Sequence, residues 1–233
     1  PLFPELKEWV RTHKSPGQFV LSGSVRFTSR EAIRESLTGR IVNLELLPMT
    51  ISEQEELPLS RSLLDMISAP HFERWEYDRP SDKKRAAKIS RRIHPYFEYG
   101  GLPGVCFLRD PKQRSFQIDE QLGTILDRDI RLIRYVQLPL GDIQQVVRAL
   151  ADLQGQPLDY TELRRRTGVS SPTIKKLIYV LEAAFLIRTI PIEGGRKGSV
   201  VFFEDMAEAE LLRTSAAASS MEKLTHLCFT HLR

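Results

Sequence analysis

The chain has 233 residues, 41% hydrophobic and 27% charged, with a formal net charge of +4 and a sequence pI near 9.1. That length suits one large or two small soluble domains, and no apolar run approaches the roughly eighteen residues of a transmembrane helix. With Glu5, Lys7, Glu8 and Arg11, the first residues lack the apolar core expected of a secretory signal, and two distant cysteines, Cys106 and Cys228, point to a reducing, cytoplasmic setting without a disulfide.

In chain order, residues 2–14 read as an amphipathic helix with Leu2, Leu6, Trp9 and Val10 on one side, stopped by Pro16-Gly17. Phe19-Val20-Leu21 is a short apolar run that meets Ser22-Gly23-Ser24, the pattern of a buried parallel strand running into a turn. Ser29 is a candidate N-cap for a polar helix ending at Gly39, and residues 41–47 read as a second strand closed by Pro48. Strand, helix and strand within about thirty residues is the size of one βαβ unit, and such sheets hold ligands at the carboxyl ends of their strands.

Beyond a capped acidic turn at Ser52 to Glu56, residues 57–67 read as helical, and 70–80 as an aromatic, irregular loop. Residues 81–99 form a clear helix, with Ala86, Ile89, Ile93 and Phe97 at spacings of three and four. Its other faces carry Lys83, Lys84, Arg85, Lys88, Arg91 and Arg92, either a candidate nucleic-acid or phosphate-binding strip or a solvated surface. Gly100 and Gly101 then permit positive φ and close approach of the backbone to a neighbour. A long helix is expected over residues 113–136, interrupted by the charges of Asp127-Arg128-Asp129.

Residues 139–203 carry three helices, at 143–153, 160–166 and from Ser170 or Ser171 onward, with Thr167-Gly168-Val169 as a tight turn and Pro172 in the first turn of the third. Residues 186–190 and 199–203 read as a β-hairpin with a flexible basic tip. Three helices and a two-stranded wing make a winged helix-turn-helix. Thr173, Lys175, Lys176 and Tyr179 are its candidate DNA-binding residues on the third helix. Arg164, Arg165 and Arg166 are candidate phosphate contacts, and Arg196 and Lys197 reach a groove from the wing. Against DNA contact, Ile174, Leu177, Ile178, Val180, Leu181, Ala184 and Phe185 make the third helix apolar on several faces, which suggests packing on another domain or subunit.

Near the carboxyl end, Ala216-Ala217-Ala218 reads as a connector. His226 and His231 are five apart and do not share a helical face, so a helix packed through Leu224, Leu227 and Leu232 is expected there, with no metal. No G-x-S-x-G occurs, so no serine nucleophile is indicated.

FVLSGS, then SLTGR, then LELLPMTISE, with PLFPELKEWV before them, resemble the second half of the nucleotide-binding core of a prokaryotic AAA-type ATPase family. Members of that family carry a C-terminal winged-helix and nuclease-like domain of unknown function. The resemblance implies an α/β remnant of a P-loop core over residues 1–52, a helical lid region over 53–138, a winged helix-turn-helix over 139–204 and a helical tail over 205–233, mostly α overall. It implies nucleotide-sensing roles for Ser22, Ser24, Arg40 and Arg128. It also matches Asp129 to a recurring Arg-Asp pair and Glu222 to a glutamate of the nuclease-like part. The phosphate-cradling G-x-x-x-x-G-K-[ST] is absent, for no Gly-Lys pair occurs in the sequence.

No catalytic residue and no cofactor are therefore expected of this chain, with ATP and Mg²⁺ entering only in a longer protein. The expected function is a regulatory or adaptor portion of an AAA-type ATPase, coupled to a winged helix that binds DNA or a protein partner, a second copy of the chain included. The alternative is a DNA-binding transcriptional regulator with an N-terminal effector or dimerisation domain. No membrane association is expected.

Overall fold

The structure, a computed structural model, describes residues 2–26, 41–57, 80–133, 137–194 and 198–232. Its centre is built where the sequence alternates most regularly between apolar and polar. Helix α5 (Leu140–Asp152), α6 (Tyr160–Thr167) and α7 (Ser171–Ala183) pack together and lead into the antiparallel hairpin β1 (Ile187–Pro191) and β2 (Ser199–Phe203). Val146, Val147, Leu150, Leu163, Ile174, Leu177, Leu181, Ile187 and Phe203 are all fully enclosed there. Each such side chain contributes about 1.5–3 kcal/mol by leaving water.

Local chemistry sets the ends of these helices. Asp159 accepts the backbone N–H groups of Thr161 and Glu162 to start α6, and Gly168, at φ 71°, ends it in the left-handed conformation that glycine adopts without steric cost. Ser170 accepts the Thr173 N–H to start α7, with Pro172 in the first turn. Hairpin register pairs Ile187 with Phe203 and Pro191 with Ser199. An isolated bridge ties Pro157 to Val200. Tip residues 195–197 lie outside the described part.

Around this centre sit α1 (Leu2–Thr12), the single turn α2 (Ile51–Gln54), the twenty-residue α3 (Pro80–Tyr99), α4 (Pro111–Thr124), α8 (Met206–Leu212) and α9 (Ser220–His231). Helix α4 does not continue as regular α-helix beyond Thr124. It widens into a π turn at Ile125–Asp129 and tightens into a 3₁₀ turn at Ile130–Ile133. The wide turn buries Asp129 beside Ile125 and Leu126 and leaves Asp127 and Arg128 outside.

Two expectations are corrected. Residues 19–21 and 41–47 are in neither strand nor helix, and among the described residues the only sheet is the β1–β2 hairpin. A strand exists through its ladder partners, and an apolar run by itself supplies none. The cost is visible in the exposure of Val20 at 94%, Leu44 at 87% and Leu46 at 97%. In the tail, Leu224 and Leu232 are exposed; α9 packs instead through His226, Phe229 and Thr230. The expected helices after Ser29 and over residues 57–67, and the aromatic loop at 70–80, fall almost wholly outside the described residues. No described helix is long and apolar enough to cross a membrane.

Candidate functional site

Residues 13–24 and most of 41–48 line one side of a cavity of about 1750 Å³. Arg128 and Asp129 from the π turn, Phe185 beyond α7, and Glu204 and Glu208 line it from elsewhere. Of the four sensing candidates, the fold therefore brings Ser22, Ser24 and Arg128 to a common cavity. Arg40 lies outside the described residues. Both serines are exposed, and Arg128 donates from Nε to Asp129 Oδ1 at 2.9 Å. The Asp129 side chain is 3% exposed, so the neighbouring guanidinium compensates a carboxylate that is otherwise costly to bury.

Immediately after Ser24 the chain is gripped. Val25 is buried in the central core, and the Arg26 N–H donates to the Ala183 carbonyl, at the last residue of α7, at 2.8 Å. The Arg26 guanidinium lies over the Phe185 ring, 4.9 Å from its centroid. It also reaches Glu45: Nη2 donates to Oε2 at 3.3 Å, while Nε is 3.1 Å from Oε1 but not aligned to donate. Glu45 accepts in turn from Arg188 on β1 at 2.9 Å, and Arg188 donates to the buried Glu204 at 3.0 Å. Burial lowers the pKa of the Arg188 guanidinium, but its bonds to both carboxylates outweigh this and hold it above its ordinary value. One chain of charges thus ties the segment after the SGS turn, the 41–47 segment and the hairpin together.

A second junction closes at the glycine pair. The Met49 N–H donates to the Gly101 carbonyl at 2.7 Å, and Gln54 Nε2 donates to the Gly100 carbonyl at 2.9 Å. Gly101 N–H donates to Asp205, the N-cap of α8, at 2.6 Å. A Cβ on Gly100 would collide with the Asp205 carboxylate, and one on Gly101 with the Met49 carbonyl. The close backbone approach expected of this pair is what the fold uses. Burial pushes the Asp205 carboxyl above its ordinary value, although four backbone N–H groups pull it down. Glu208, one turn on, is raised much further by burial and by the facing Asp205 and Glu204.

On α7, Pro172, Lys175, Lys176 and Tyr179 are exposed in a single stripe, with Thr173 half-buried beside it. The apolar surplus of this helix is absorbed within the chain, by α6, β1 and the 3₁₀ turn Ile130–Ile133. Its cover comes from elsewhere in the same chain, the turn at Ile130–Ile133 before the expected winged helix included, and one side stays polar along its length. Lys175 lies over the Tyr160 ring, 5.0 Å from its centroid. Arg165 and Arg166 both donate to Glu162 at 2.7 Å, holding its carboxyl at a pKa of about 2, and so are occupied. Arg196 and Lys197 lie outside the described residues.

The tail residues have internal duties. His226 bonds the Phe203 carbonyl at 2.8 Å, and His231 Nε2 accepts the Ile51 N–H at 3.0 Å. Glu222 completes a capping box with Ser219 and pairs with Arg213 at 2.9 Å. Sequence reasoning missed Val25, Arg26, Glu45 and Arg188, whose roles rest on partners distant in the chain. Asp205 and Glu208 were legible as carboxylates of the tail, but not their junction with the glycine pair.

Comparison with known proteins gives two partial likenesses. A family model described as an AAA domain matches residues 2–55, and one described as a domain of unknown function (DUF8612) matches residues 90–192. No curated protein and no solved structure matches the chain.

Proposed function

We propose that this chain is the regulatory portion of an AAA-type ATPase, carrying the reporter side of a triphosphate pocket without the loop that grips the phosphates. In this reading residues 1–52 are the core remnant, 53–138 the lid region, 139–204 a winged helix-turn-helix and 205–233 the tail. Ser22, Ser24, Arg40 and Arg128 sense the nucleotide. The observation that carries the reading is the bond from the Arg26 N–H to the Ala183 carbonyl, two residues past Ser24. A displacement of the SGS turn reaches the end of α7 through that bond, and reaches the hairpin through Glu45 and Arg188. ATP and Mg²⁺ belong to the longer assembly, because G-x-x-x-x-G-K-[ST] is missing from this sequence. Titration calorimetry of ATP-Mg²⁺ into the chain is expected to show no micromolar binding; tight binding with turnover overturns the reading.

A second reading, a DNA-binding regulator, is favoured by the exposed Lys175, Lys176 and Tyr179 stripe on the polar side of α7. Thr173 borders that stripe, and Arg196 and Lys197 are further DNA-binding candidates in this reading. Loss of a duplex mobility shift on Lys175→Ala with Lys176→Ala supports it, and an unchanged shift removes it.

A further inference from the structure

Helix α3 sorts its cations. Arg85 Nη2 turns to Ser52 Oγ at 3.5 Å, and Arg92 donates to Gln54 at 3.1 and 3.2 Å while lying 3.7 Å from Glu55. These two hold α3 against α2. Lys84, Lys88 and Arg91 lie about a quarter-turn round the helix from them: all three are exposed, and none pairs with an acidic group among the described residues. Their spacing of four and three places them on one face.

An ordinary solvated helix mixes both signs, because Glu–Lys pairs one turn apart add stability and like charges subtract it. Here the sequence carries no Asp or Glu from residue 83 to residue 97. Three cations one turn apart, with no acidic partner among the described residues, make a face that is complementary to an external polyanion. The exposed residues between them are Ala86, Ala87 and Ser90, which offer nothing bulky and apolar for a lipid interface. From Lys84 to Arg91 the helix rises about 10 Å. One strand of a duplex presents a phosphate about every 3.4 Å along its axis, so a stripe of that length spans about three phosphate intervals.

We propose that Lys84, Lys88 and Arg91 form a nucleic-acid contact surface that grips the phosphate backbone without reading sequence. It is separate from the α7 stripe, and it does not depend on the nucleotide-sensing reading. The contact is purely cationic, so it positions a duplex without specifying bases.

The test is fluorescence anisotropy of the full chain with two labelled duplexes of unrelated sequence across a KCl series. Three proteins are compared: the unsubstituted chain, K84A/K88A/R91A, and K175A/K176A. Alanine at exposed helical positions preserves the helix, and far-ultraviolet circular dichroism with thermal melting verifies the fold. The proposal expects equal affinity for both duplexes, and a slope of log affinity against log salt that shrinks by about 2.7 in K84A/K88A/R91A. Absence of binding by the unsubstituted chain at the lowest salt overturns it. So does an unchanged slope in that variant with loss of binding in K175A/K176A, an outcome that leaves the α7 reading standing. Retained duplex binding with lost binding to phosphatidylserine vesicles also overturns it, in favour of a lipid surface.

Discussion

The Asp205 carboxylate accepts the Gly101 backbone N–H at 2.6 Å while its other oxygen accepts the Ala207 N–H at 2.8 Å. One side chain thereby starts α8 and fixes the turn that follows α3. Gly100→Ala is expected to be severe, because its φ of +67° disfavours a side chain and its Cβ meets that carboxylate. Asp205→Ala removes a cap and orphans a buried donor, a loss of about 1–3 kcal/mol. Urea denaturation followed by circular dichroism measures both, and Gly100→Ala should be the larger effect.

Glu208 offers a test by pH. Its folded-state pKa is raised, so folding favours the protonated form. The stability it contributes is fully present below the unfolded pKa of about 4.3 and is lost as pH rises through the folded value. Glu208→Gln is therefore expected to melt at a higher temperature than the parent at pH 8. The gap should close near pH 4, and a gap independent of pH would contradict the assignment.

Val25 lies in the core at the point where the SGS turn meets α7. Val25→Ala is expected to cost about 1–3 kcal/mol through lost burial and the cavity left behind. The informative readout is local. Hydrogen exchange should speed up at residues 183–189 more than in α5, whereas uniform acceleration would mean that no special path joins the turn to the hairpin.

Glu162 restrains two arginines, and its low pKa keeps it ionised throughout the neutral range. If the α7 stripe meets DNA, Glu162→Gln should raise duplex affinity by freeing Arg165 for phosphates, while Arg166 keeps its pairing with Asp152 at 3.6 Å. Anisotropy at low salt reads this out, and a fall in affinity would count against that stripe as a DNA face.

What could be read from the sequence was local. Asp159, Gly168, Ser170 and Pro172 mark the limits of α6 and α7 because capping chemistry acts over two or three residues. The hairpin showed itself by β-branched runs around a glycine-rich tip. What escaped depends on distant partners. The 19–21 and 41–47 runs have strand composition, yet pairing is a property of neighbours. Glu45 gave no hint of Arg188, which lies 143 residues away. Leu224 and Leu232 fit an apolar face on paper, but α9 is oriented by His226 and Phe229 against the hairpin, with the Phe202 and Phe229 rings stacked 4.4 Å apart. The apolar surplus of α7 was legible, but not what covers it: α6, β1 and the turn at Ile130–Ile133 of the same chain.

The π turn at Ile125–Asp129 accommodates one residue more than an α-helical turn does. Shortening the chain by one position there, for instance by deleting Arg128, has a geometric outlet that most helices lack: the turn can collapse to ordinary pitch while Ile118 and Leu122 upstream stay seated. A single-residue deletion scan along α4 should accordingly find a tolerant window at that bulge, bordered by intolerant positions.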